Sequence, residues 1–332
     1  MRKKVWLMAL AFLTVWLLAG CGSDAGDVTE IRVAFNQNEK HPQYLAMKQL
    51  GEEFEKATDG RYHMTIYANG VLGEQGAMAE FIRTGALQMA IIPCSVPEGY
   101  DSDFAIVGAP YLYDDMDHMK RVTVSGVFDQ LFEDCRKYQF IPLTVYTAGE
   151  RNVYCKKPVE SAEDLKGAII RVNDSPTYIE MVQLMGGDGA VMAQSDVYTA
   201  LQQGVIDAAE NSERVYCDFK HYEVAPYYVY TKHIVHPDVV VASTRFLDSM
   251  TEEDRAIFYD LIKESTEVEF ATFAESVQEA KVEAAERGTK FCYPDVEEFR
   301  TRCAPIVERI SQQSDRTREI YERIEALREA AS

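Results

Sequence analysis

Apolar and polar residues along the first half of the chain form blocks that predict strands and helices in turn. Short runs of β-branched and aromatic residues predict strands, and segments with apolar residues at every third or fourth position predict helices. The predicted strands are residues 30–36, 62–68, 86–93 and 140–148, and the predicted helices are 42–57, 73–85 and the region 116–138. This alternation is typical of an α/β fold with a mainly parallel sheet and helices on both faces.

The second half repeats the alternation in shorter units. The predicted helices are residues 160–167, 175–187 and 194–204, and the predicted strands are the segment around Arg171, 227–235 and 238–244. Ser161 is a predicted helix N-cap, and Pro176 suits the first turn of the next helix. The C-terminal segment 315–330 predicts a charged amphipathic helix, which we expect to pack on its own protein.

One long segment decides the predicted architecture. Residues 252–287 are 36 positions without proline or glycine, and Thr251 precedes them as a predicted N-cap. A single helix of this length would extend about 54 Å, which exceeds one lobe, so we expect it to run along two. The alternative is two helices separated near Ser265–Thr266. A chain of this length also favours two domains.

The predicted architecture is therefore two α/β lobes with a ligand cleft between them. We expect lobe I to comprise residues 29–148 and about 238–276. Lobe II would comprise residues 149–237 and about 277–332.

The N-terminus predicts export and a lipid anchor. Residues 1–21 combine a basic start, an apolar run over Val5–Leu18 and small residues before Cys21. This is the pattern of a signal peptide, and the ending "LAGC" resembles a bacterial lipobox, in which the cysteine is lipid-modified. Residues 22–28 would then be a flexible tether. The alternative is an ordinary signal peptide with a chance cysteine at position 21.

Composition excludes several function classes. Removing the three basic residues of the signal takes the net charge from −20 to −23, and so acidic a protein repels nucleic acid and anionic lipid. The sequence contains no CxxC pair, nucleophile elbow, phosphate loop, zinc-protease motif or dinucleotide turn,. We expect no cofactor and no metal site, and we favour a binding protein over an enzyme.

Arg171 is the first candidate functional residue because it interrupts an otherwise apolar predicted strand. A guanidinium keeps its proton, so burying one without an anion is costly. The alternative is a structural ion pair with one of the many acidic residues. Arg151 begins another predicted strand near the start of the second lobe. Two guanidinium groups facing one cleft would form a receptor for a carboxylate.

From about Ile31 to Ala304 the chain resembles the extracytoplasmic solute receptors of TRAP (tripartite ATP-independent periplasmic) transporters. The resemblance is carried by "NGVLGEQGAMAEFIRTGALQMAI" (69–91), "VESAEDLKGAIIRV" (159–172), "AVMAQSDVYTALQQGVIDAAENS" (190–212) and "KHIVHPDVVVASTRFLDSMTEEDR" (232–255). It implies a two-lobed periplasmic-binding-protein-like fold with a long helix spanning both lobes. It also implies a non-enzymatic receptor that delivers a small organic acid to a separate membrane permease. Because we expect the C-terminal helix to pack on its own protein, we expect a monomer.

The resemblance further implies which residues bind the ligand. In similar receptors the arginine that matches Arg171 pairs with the ligand carboxylate, and Arg151 and Asn211 match further polar contacts. The other implied ligand-binding residues are Glu210, Gln194, Glu74, Asn36, Glu39 and His41. Asn211 and Glu74 have an alternative role at helix N-termini.

Acidic residues at a site for an anion are reasonable if they accept hydrogen bonds from hydroxyl groups. The predicted ligand is therefore a polyhydroxylated sugar acid, such as a uronate or an aldonate. A C4-dicarboxylate is the alternative ligand, and it would need more positive charge. A secreted lipoprotein enzyme acting on sugar acids is the alternative function. A sensor for a histidine kinase or a receptor for an ATP-driven importer would keep the fold and change its use.

Overall fold

The computed structural model describes residues 28–329 of the chain. The predicted signal peptide with Cys21, residues 22–27 of the predicted tether and residues 330–332 lie outside the described residues. Within the described part, no helix combines the length and apolar character that crossing a bilayer requires. The six cysteines between residues 28 and 329 form no disulfide there.

One mixed sheet runs through the described chain. Its strands are β1 (Thr29–Ala34), β2 (Tyr62–Tyr67), β3 (Met89–Pro93), β4 (Phe140–Cys155), β5 (Ile169–Val172), β6 (Asp188–Val191), β7 (Ala208–Asn211), β8 (Tyr227–Ser243) and β9 (Lys290–Cys292). Their order is β2-β1-β3-β8-β4-β7-β5-β6, and β9 pairs with β8. The outer strands pair in parallel, whereas β8 and β4 are antiparallel to their neighbours β3 and β7 and to each other. The prediction of a mainly parallel sheet is thus wrong for its centre.

Helices cover both faces of this sheet, and local sequence signals set several of their boundaries. They are α1 (Pro42–Ala57), α2 (Gln75–Thr84), α3 (Ser95–Glu98), α4 (Met116–Val124), α5 (Asp129–Glu133), α6 (Pro176–Leu184), α7 (Val197–Gln203), α8 (Glu213–Asp218), α9 (Thr244–Ser249), α10 (Glu252–Glu286), α11 (Val296–Ser311) and α12 (Asp315–Glu329). Short 3₁₀ helices lie at Ser102–Ile106, Asp134–Tyr138, Ala162–Leu165, Gln194–Asp196 and His221–Glu223. Ser175 caps α6 by accepting a hydrogen bond from the backbone of Tyr178,.

The strands β4 and β8 connect the two halves of the molecule. They have 16 and 17 residues and form one long antiparallel ladder. The prediction of two separate strands around Pro237 is wrong, because Pro237 lies in the ladder opposite Thr147. The register of β4 shifts between Thr147 and Glu150 and again between Arg151 and Val153. Such bulges bend a strand locally, and here they occur where the chain passes from one half to the other.

Gly149 occupies this crossing in a conformation that favours glycine. Its φ is +83°, and a Cβ atom there would lie 2.6 Å from Cε1 of Phe273 and 3.0 Å from Cβ of Ser212. We expect Gly149→Ala to reduce the free energy of unfolding by about 2–5 kcal/mol, from left-handed strain and overpacking together. Urea denaturation measures this loss.

Gly60→Ala is the matched control for that measurement. Gly60 has a similar φ of +76°, but a Cβ atom there would meet nothing within 4 Å. The control should therefore cost only the strain of about 1–2 kcal/mol. Equal losses in the two variants would show that the contact between the added methyl group at position 149 and Phe273 contributes nothing to the loss of stability.

The long helix α10 is continuous, as the single-helix prediction requires. Its 35 residues extend about 52 Å, and the side chain of Thr251 caps it by accepting from the backbone of Asp254. The helix continues without a break through Ser265 and Thr266, whose hydroxyl groups donate to the carbonyl of Ile262. The helix packs against α1 in the first half and α8 in the second.

The hydrophobic cores show how α10 joins the halves. Phe258 and Ile262 belong to a core with β1 and α1, whereas Ala280 and Ala284 belong to a core with α7 and α8. The C-terminal helix α12 buries Ile320 and Ile324 in the largest core, so it packs on its own protein as expected. It contacts α4 of the first half, and α11 contacts α6 of the second. The division into two lobes at the stated residues stays a prediction.

Candidate functional site

Arg171 is the buried cation of the site. It lies in β5, between β6 and β7, and is 2% exposed. Its Nε donates to the carbonyl of Met192 at 2.9 Å, and Nη1 donates to Oε1 of Gln194 at 3.2 Å. A guanidinium has five N–H groups, so most of its donors are still available. No carboxylate within residues 28–329 forms an ion pair with it.

The electrostatics of Arg171 favour an anionic ligand. Burial and the nearby charge of Arg151 lower the pKa of Arg171 to about 10. The guanidinium is therefore still protonated at neutral pH. A buried positive charge without a paired carboxylate is expensive, and a ligand carboxylate would relieve this cost by a forked pair of charge-assisted hydrogen bonds.

Arg151 and Glu210 are brought together, but as partners of each other. They face each other on the paired strands β4 and β7. Arg151 bonds both carboxylate oxygens of Glu210, with Nη2 at 2.5 Å from Oε1, and Nη2 also donates to the Glu210 carbonyl at 2.8 Å. Both side chains are buried. The pair neutralises itself, and its predicted contacts with the ligand stay a prediction.

His233 completes this buried group. Its Nε2 lies 3.2 Å from Oε2 of Glu210, and its Nδ1 lies 2.8 Å from the hydroxyl of Thr231. Burial raises the pKa of Glu210, but the charge of Arg151 and hydrogen bonds from His233 and Arg151 outweigh burial and lower that pKa to about 2. Glu210 is therefore ionised at neutral pH. No local pattern places His233 beside Glu210, because β8 and β7 are brought to either side of β4 only by the fold.

Gln194 and Asn211 connect to Arg171 by hydrogen bonds. Oε1 of Gln194 accepts from Arg171 and, at 3.3 Å, from Nδ2 of Asn211. Oδ1 of Asn211 accepts from the backbone of Ser212, and Ser212 itself occupies the N-cap position of α8. Nε2 of Gln194 is buried without a partner, so this amide has a donor available for a ligand.

The first half contributes less directly. Glu74 precedes α2 as its N-cap residue, and its Oε1 accepts from the hydroxyl of Ser195 at 3.0 Å, across the cleft. Asn36 is half-buried just after β1, and Glu39 is exposed. Glu74 and Arg171 line one cavity of about 670 Å³, whereas Asn36 and Glu39 do not line it.

His41 lies in an aromatic environment. Its ring is 5.5 Å from that of Phe35 and 5.6 Å from that of Phe273, between centroids. Neither ring nitrogen has a hydrogen-bond partner. Burial, and secondarily the charge of Arg214, lower the pKa of His41 to about 3. The imidazole is therefore neutral, and it offers one donor and one acceptor.

Unpartnered polar atoms are buried on both sides of the cleft. They are Oε1 of Gln37, both ring nitrogens of His41, the hydroxyls of Tyr154 and Ser212, and Nε2 of Gln194. Phe273 lies between two of these residues. Its ring packs against the ring of His41, and it also lies beside Gly149, which is close to Ser212. Buried polar groups normally find a partner. A ligand rich in hydroxyl groups would supply such partners.

Comparison with known proteins identifies the family. The family described as bacterial extracellular solute-binding protein, family 7, matches residues 33–314. The chain belongs to this family. The YiiZ protein of Salmonella typhimurium is 30% identical over 303 residues, which are 90% of this chain and 92% of that relative. The prediction of an extracytoplasmic solute-binding protein is thus confirmed.

Solved structures of TRAP solute-binding proteins share the fold. One from Anaerococcus prevotii, with bound D-glucuronate, is 34% identical, with a TM-score of 0.88 over 91% of this chain and 99% of that one. One from Xanthobacter autotrophicus Py2, with bound β-D-galacturonate, is 27% identical, with a TM-score of 0.86 over 89% and 99% of the two chains. These structures confirm the predicted two-lobed α/β fold and the predicted membership of the TRAP solute-binding proteins.

The described part of this TRAP solute-binding protein contains no cluster of three or more histidine, cysteine or acidic residues that could hold a metal ion. Its buried acids serve other contacts. Glu269 of α10 accepts from the backbone of Thr147 at 3.0 Å, and Oδ2 of Asp238 accepts from Nε2 of Gln43 at 3.0 Å. Both lie beside the β4–β8 crossing. Neither residue was predicted from the sequence to belong to the site.

Asp238 predicts a pH-dependent effect on stability. Burial, partly offset by Gln43 and Arg151, raises its pKa to about 6. Because its pKa is higher in the folded than in the unfolded state, the folded protein binds more protons at this group. The cost of the buried carboxylate to the free energy of unfolding is therefore absent at low pH and is present once pH has risen through about 6. We expect Asp238→Asn, which can keep the bond from Gln43, to raise the Tm above pH 6 and to lose this advantage towards pH 4. Thermal unfolding across pH checks this, and a constant difference would contradict it.

Proposed function

We propose that this TRAP solute-binding protein binds a sugar acid, in the first place a hexuronate such as glucuronate or galacturonate, and delivers it to its membrane permease. The observation that carries the proposal is the guanidinium of Arg171, which is buried at the cleft and has no carboxylate partner among the described residues. A ligand carboxylate is the partner that its chemistry requires.

The charge balance of the site favours one carboxylate over two. Arg151 is already neutralised by Glu210, so Arg171 is the cation with donors left over. A C4-dicarboxylate would bring a second carboxylate to a site whose second buried arginine, Arg151, is already paired with Glu210. Neutral hydrogen-bonding groups at Gln194, Asn211 and His41 suit the hydroxyl groups of a sugar. The relatives that carry glucuronate and galacturonate support the same choice.

We also propose that Cys21 carries a lipid and that residues 22–28 tether the receptor to the outer face of a membrane. The receptor would act as a monomer, without a cofactor and without catalysis. Lobe I (29–148 and about 238–276) and lobe II (149–237 and about 277–332) would close on the ligand about the β4–β8 crossing. Intact mass spectrometry of the membrane-extracted protein tests the lipid, because an unmodified mature N-terminus would contradict it.

A binding screen tests the proposed ligand class. The mature chain without the lipid (residues 22–332) would be titrated with glucuronate, galacturonate, gluconate, succinate, and the matching neutral sugars glucose and galactose. We expect the uronates to raise the Tm, because a ligand at 100 times its Kd adds about 2.7 kcal/mol to the stability of the folded state. We expect glucose, galactose and succinate to have no effect at the same concentration.

The same screen separates the alternative functions. A shift with succinate that exceeds the shift with uronates would replace the sugar acid by a dicarboxylate. Chemical conversion of a uronate by catalytic amounts of the protein, followed by product analysis, would replace the receptor by an enzyme. No shift with any of these acids, in a protein that unfolds cooperatively, would overturn the proposed ligand class.

A further inference from the structure

The cavity lined by Arg171 extends away from the other residues proposed to contact the hexuronate, because Gln194, Asn211 and His41 do not line it. Its volume is about 670 Å³, within the range of about 300–1,000 Å³ that pockets for drug-sized ligands have. Residues at the start of α2 line it from the first half, and the segment that follows β5 lines it from the second half. A hexuronate held at Arg171 therefore leaves much of this cavity for a further part of the ligand.

The charge of the cavity wall selects the chemistry of that further part. Three carboxylates line the cavity, those of Glu74, Glu98 and Asp174. The other lining cation is Arg309, which is about half exposed and already paired with Glu180, with Nη2 at 2.5 Å from Oε2. A second carboxylate would face these acids without a free cation among the lining residues. Carboxylate oxygens instead accept hydrogen bonds from hydroxyl groups.

Asn173 supplies a neutral polar group at the same wall. It lies two residues after Arg171, lines the cavity and is 7% exposed. Glu98, opposite, accepts from the hydroxyls of Ser175 at 2.7 Å and Thr177 at 2.8 Å. A largely buried amide beside acceptor-rich carboxylates is suited to a sugar ring with several hydroxyl groups.

We propose that this cavity is a second sugar subsite, so that the receptor binds acidic disaccharides composed of one uronate and one neutral sugar. The uronate carboxylate would pair with Arg171, and the neutral sugar would occupy the cavity between Glu74 and Asn173. This inference rests on the proposed function, because it assumes that Arg171 binds a uronate. It extends the ligand class from monosaccharide acids to aldobiouronates.

Gly76 allows the cavity to be filled selectively. It lies in α2 and lines the cavity, and a Cβ atom there would meet nothing within 4 Å. Gly76→Phe should therefore place its ring in the cavity without disturbing the packed core. Gly76→Ala is the matched control, because a methyl group fills little of the volume. Asn173→Ala removes the neutral amide and leaves the cavity open.

The experiment is isothermal titration calorimetry of the mature chain and these variants. The probes are glucuronate, glucuronosyl-xylose as the aldobiouronate, digalacturonate as the doubly charged disaccharide, and cellobiose as the neutral one. For the unsubstituted protein we expect glucuronosyl-xylose to bind at least as tightly as glucuronate. Digalacturonate should bind about tenfold or more weakly than glucuronosyl-xylose, and cellobiose should not bind.

The variants then locate the second sugar. We expect Gly76→Phe to weaken glucuronosyl-xylose by about tenfold or more and to change glucuronate by less than about twofold. Asn173→Ala should act in the same direction, and Gly76→Ala should have little effect. The inference is overturned if glucuronate binds but glucuronosyl-xylose does not, or if Gly76→Phe affects both ligands equally. Digalacturonate binding as tightly as glucuronosyl-xylose would contradict the inference that the second sugar is neutral. Failure of glucuronate and every other acid to bind would instead refute the proposed function itself.

Discussion

Replacing Arg171 by alanine is expected to weaken the binding of uronates by at least about 30-fold without unfolding the protein. The guanidinium is the buried cation for which no carboxylate partner exists within residues 28–329. Truncating one partner of a buried, hydrogen-bonded charge pair costs about 2–5 kcal/mol, which is about 30- to 5,000-fold in Kd. Titration calorimetry with glucuronate measures the loss. The Tm of the unliganded variant should not fall, because removing an uncompensated buried charge relieves a cost.

Two further variants distinguish a carboxylate receptor from a general loss of charge. Arg171→Lys keeps the positive charge but not the planar fork that binds a carboxylate through two hydrogen bonds, so we expect it to recover only part of the affinity. Arg309→Ala removes a half-exposed guanidinium from the same cavity, and we expect the affinity for glucuronate to stay within about twofold, because exposed ion pairs contribute little. Binding of glucuronate by Arg171→Ala with unchanged affinity would show that Arg171 is not the anchor.

Glu210→Ala is expected to be among the most destabilising single substitutions in the described chain. It leaves Arg151 buried without its carboxylate, and it also removes the acceptor of His233. Breaking a buried ion pair from one side costs about 3–5 kcal/mol, because the remaining charge is uncompensated. Urea denaturation of the unliganded protein measures this cost. The effect on stability should be present without ligand, unlike that of Arg171→Ala.

The double variant Arg151→Met, Glu210→Met is the control. Replacing both partners by apolar residues removes the buried charge together with its partner, so it should cost less than Glu210→Ala alone. A double variant less stable than the single one would show that the pair itself, and not the unpaired charge, determines the loss. The pKa of Glu210, lowered to about 2, also predicts a difference in how the stability of the two proteins depends on pH. The stability that the ionised pair contributes is present above about pH 4.5 and is lost as pH falls towards 2, and Glu210→Ala should lack this dependence.

The two arginines show how far sequence reasoning reaches into the site. An arginine within an apolar strand is conspicuous by itself, and burial at position 171 follows from the pattern around it. The partner of Arg151 is not conspicuous, because Glu210 is 59 positions away and many acids compete for the role. His233 is inconspicuous for the same reason, since its contact with Glu210 exists only where β8 and β7 lie on either side of β4.

The first-half candidates give a mixed result for a related reason. Glu74 reaches the cavity, because α2 starts at its rim and its carboxylate crosses to Ser195. Glu39 is exposed, and His41 is enclosed by Phe35 and Phe273. Their positions along the chain are adjacent, but whether a side chain faces a cleft, a core or solvent depends on helix α10, which is more than 200 positions further on.

The sequence by itself determined the local elements of this protein. Pro42 begins α1, Thr251 caps α10, and the absence of proline and glycine keeps α10 continuous, because these signals act within a turn or two of helix,. The tertiary structure alone decided that β4 and β8 form one ladder through Pro237, that Arg151 is neutralised by Glu210, and that Arg171 has no carboxylate partner within residues 28–329. Those outcomes depend on which distant segments meet. Charge compensation depends on which residues of those segments come into contact, so no local pattern specifies it.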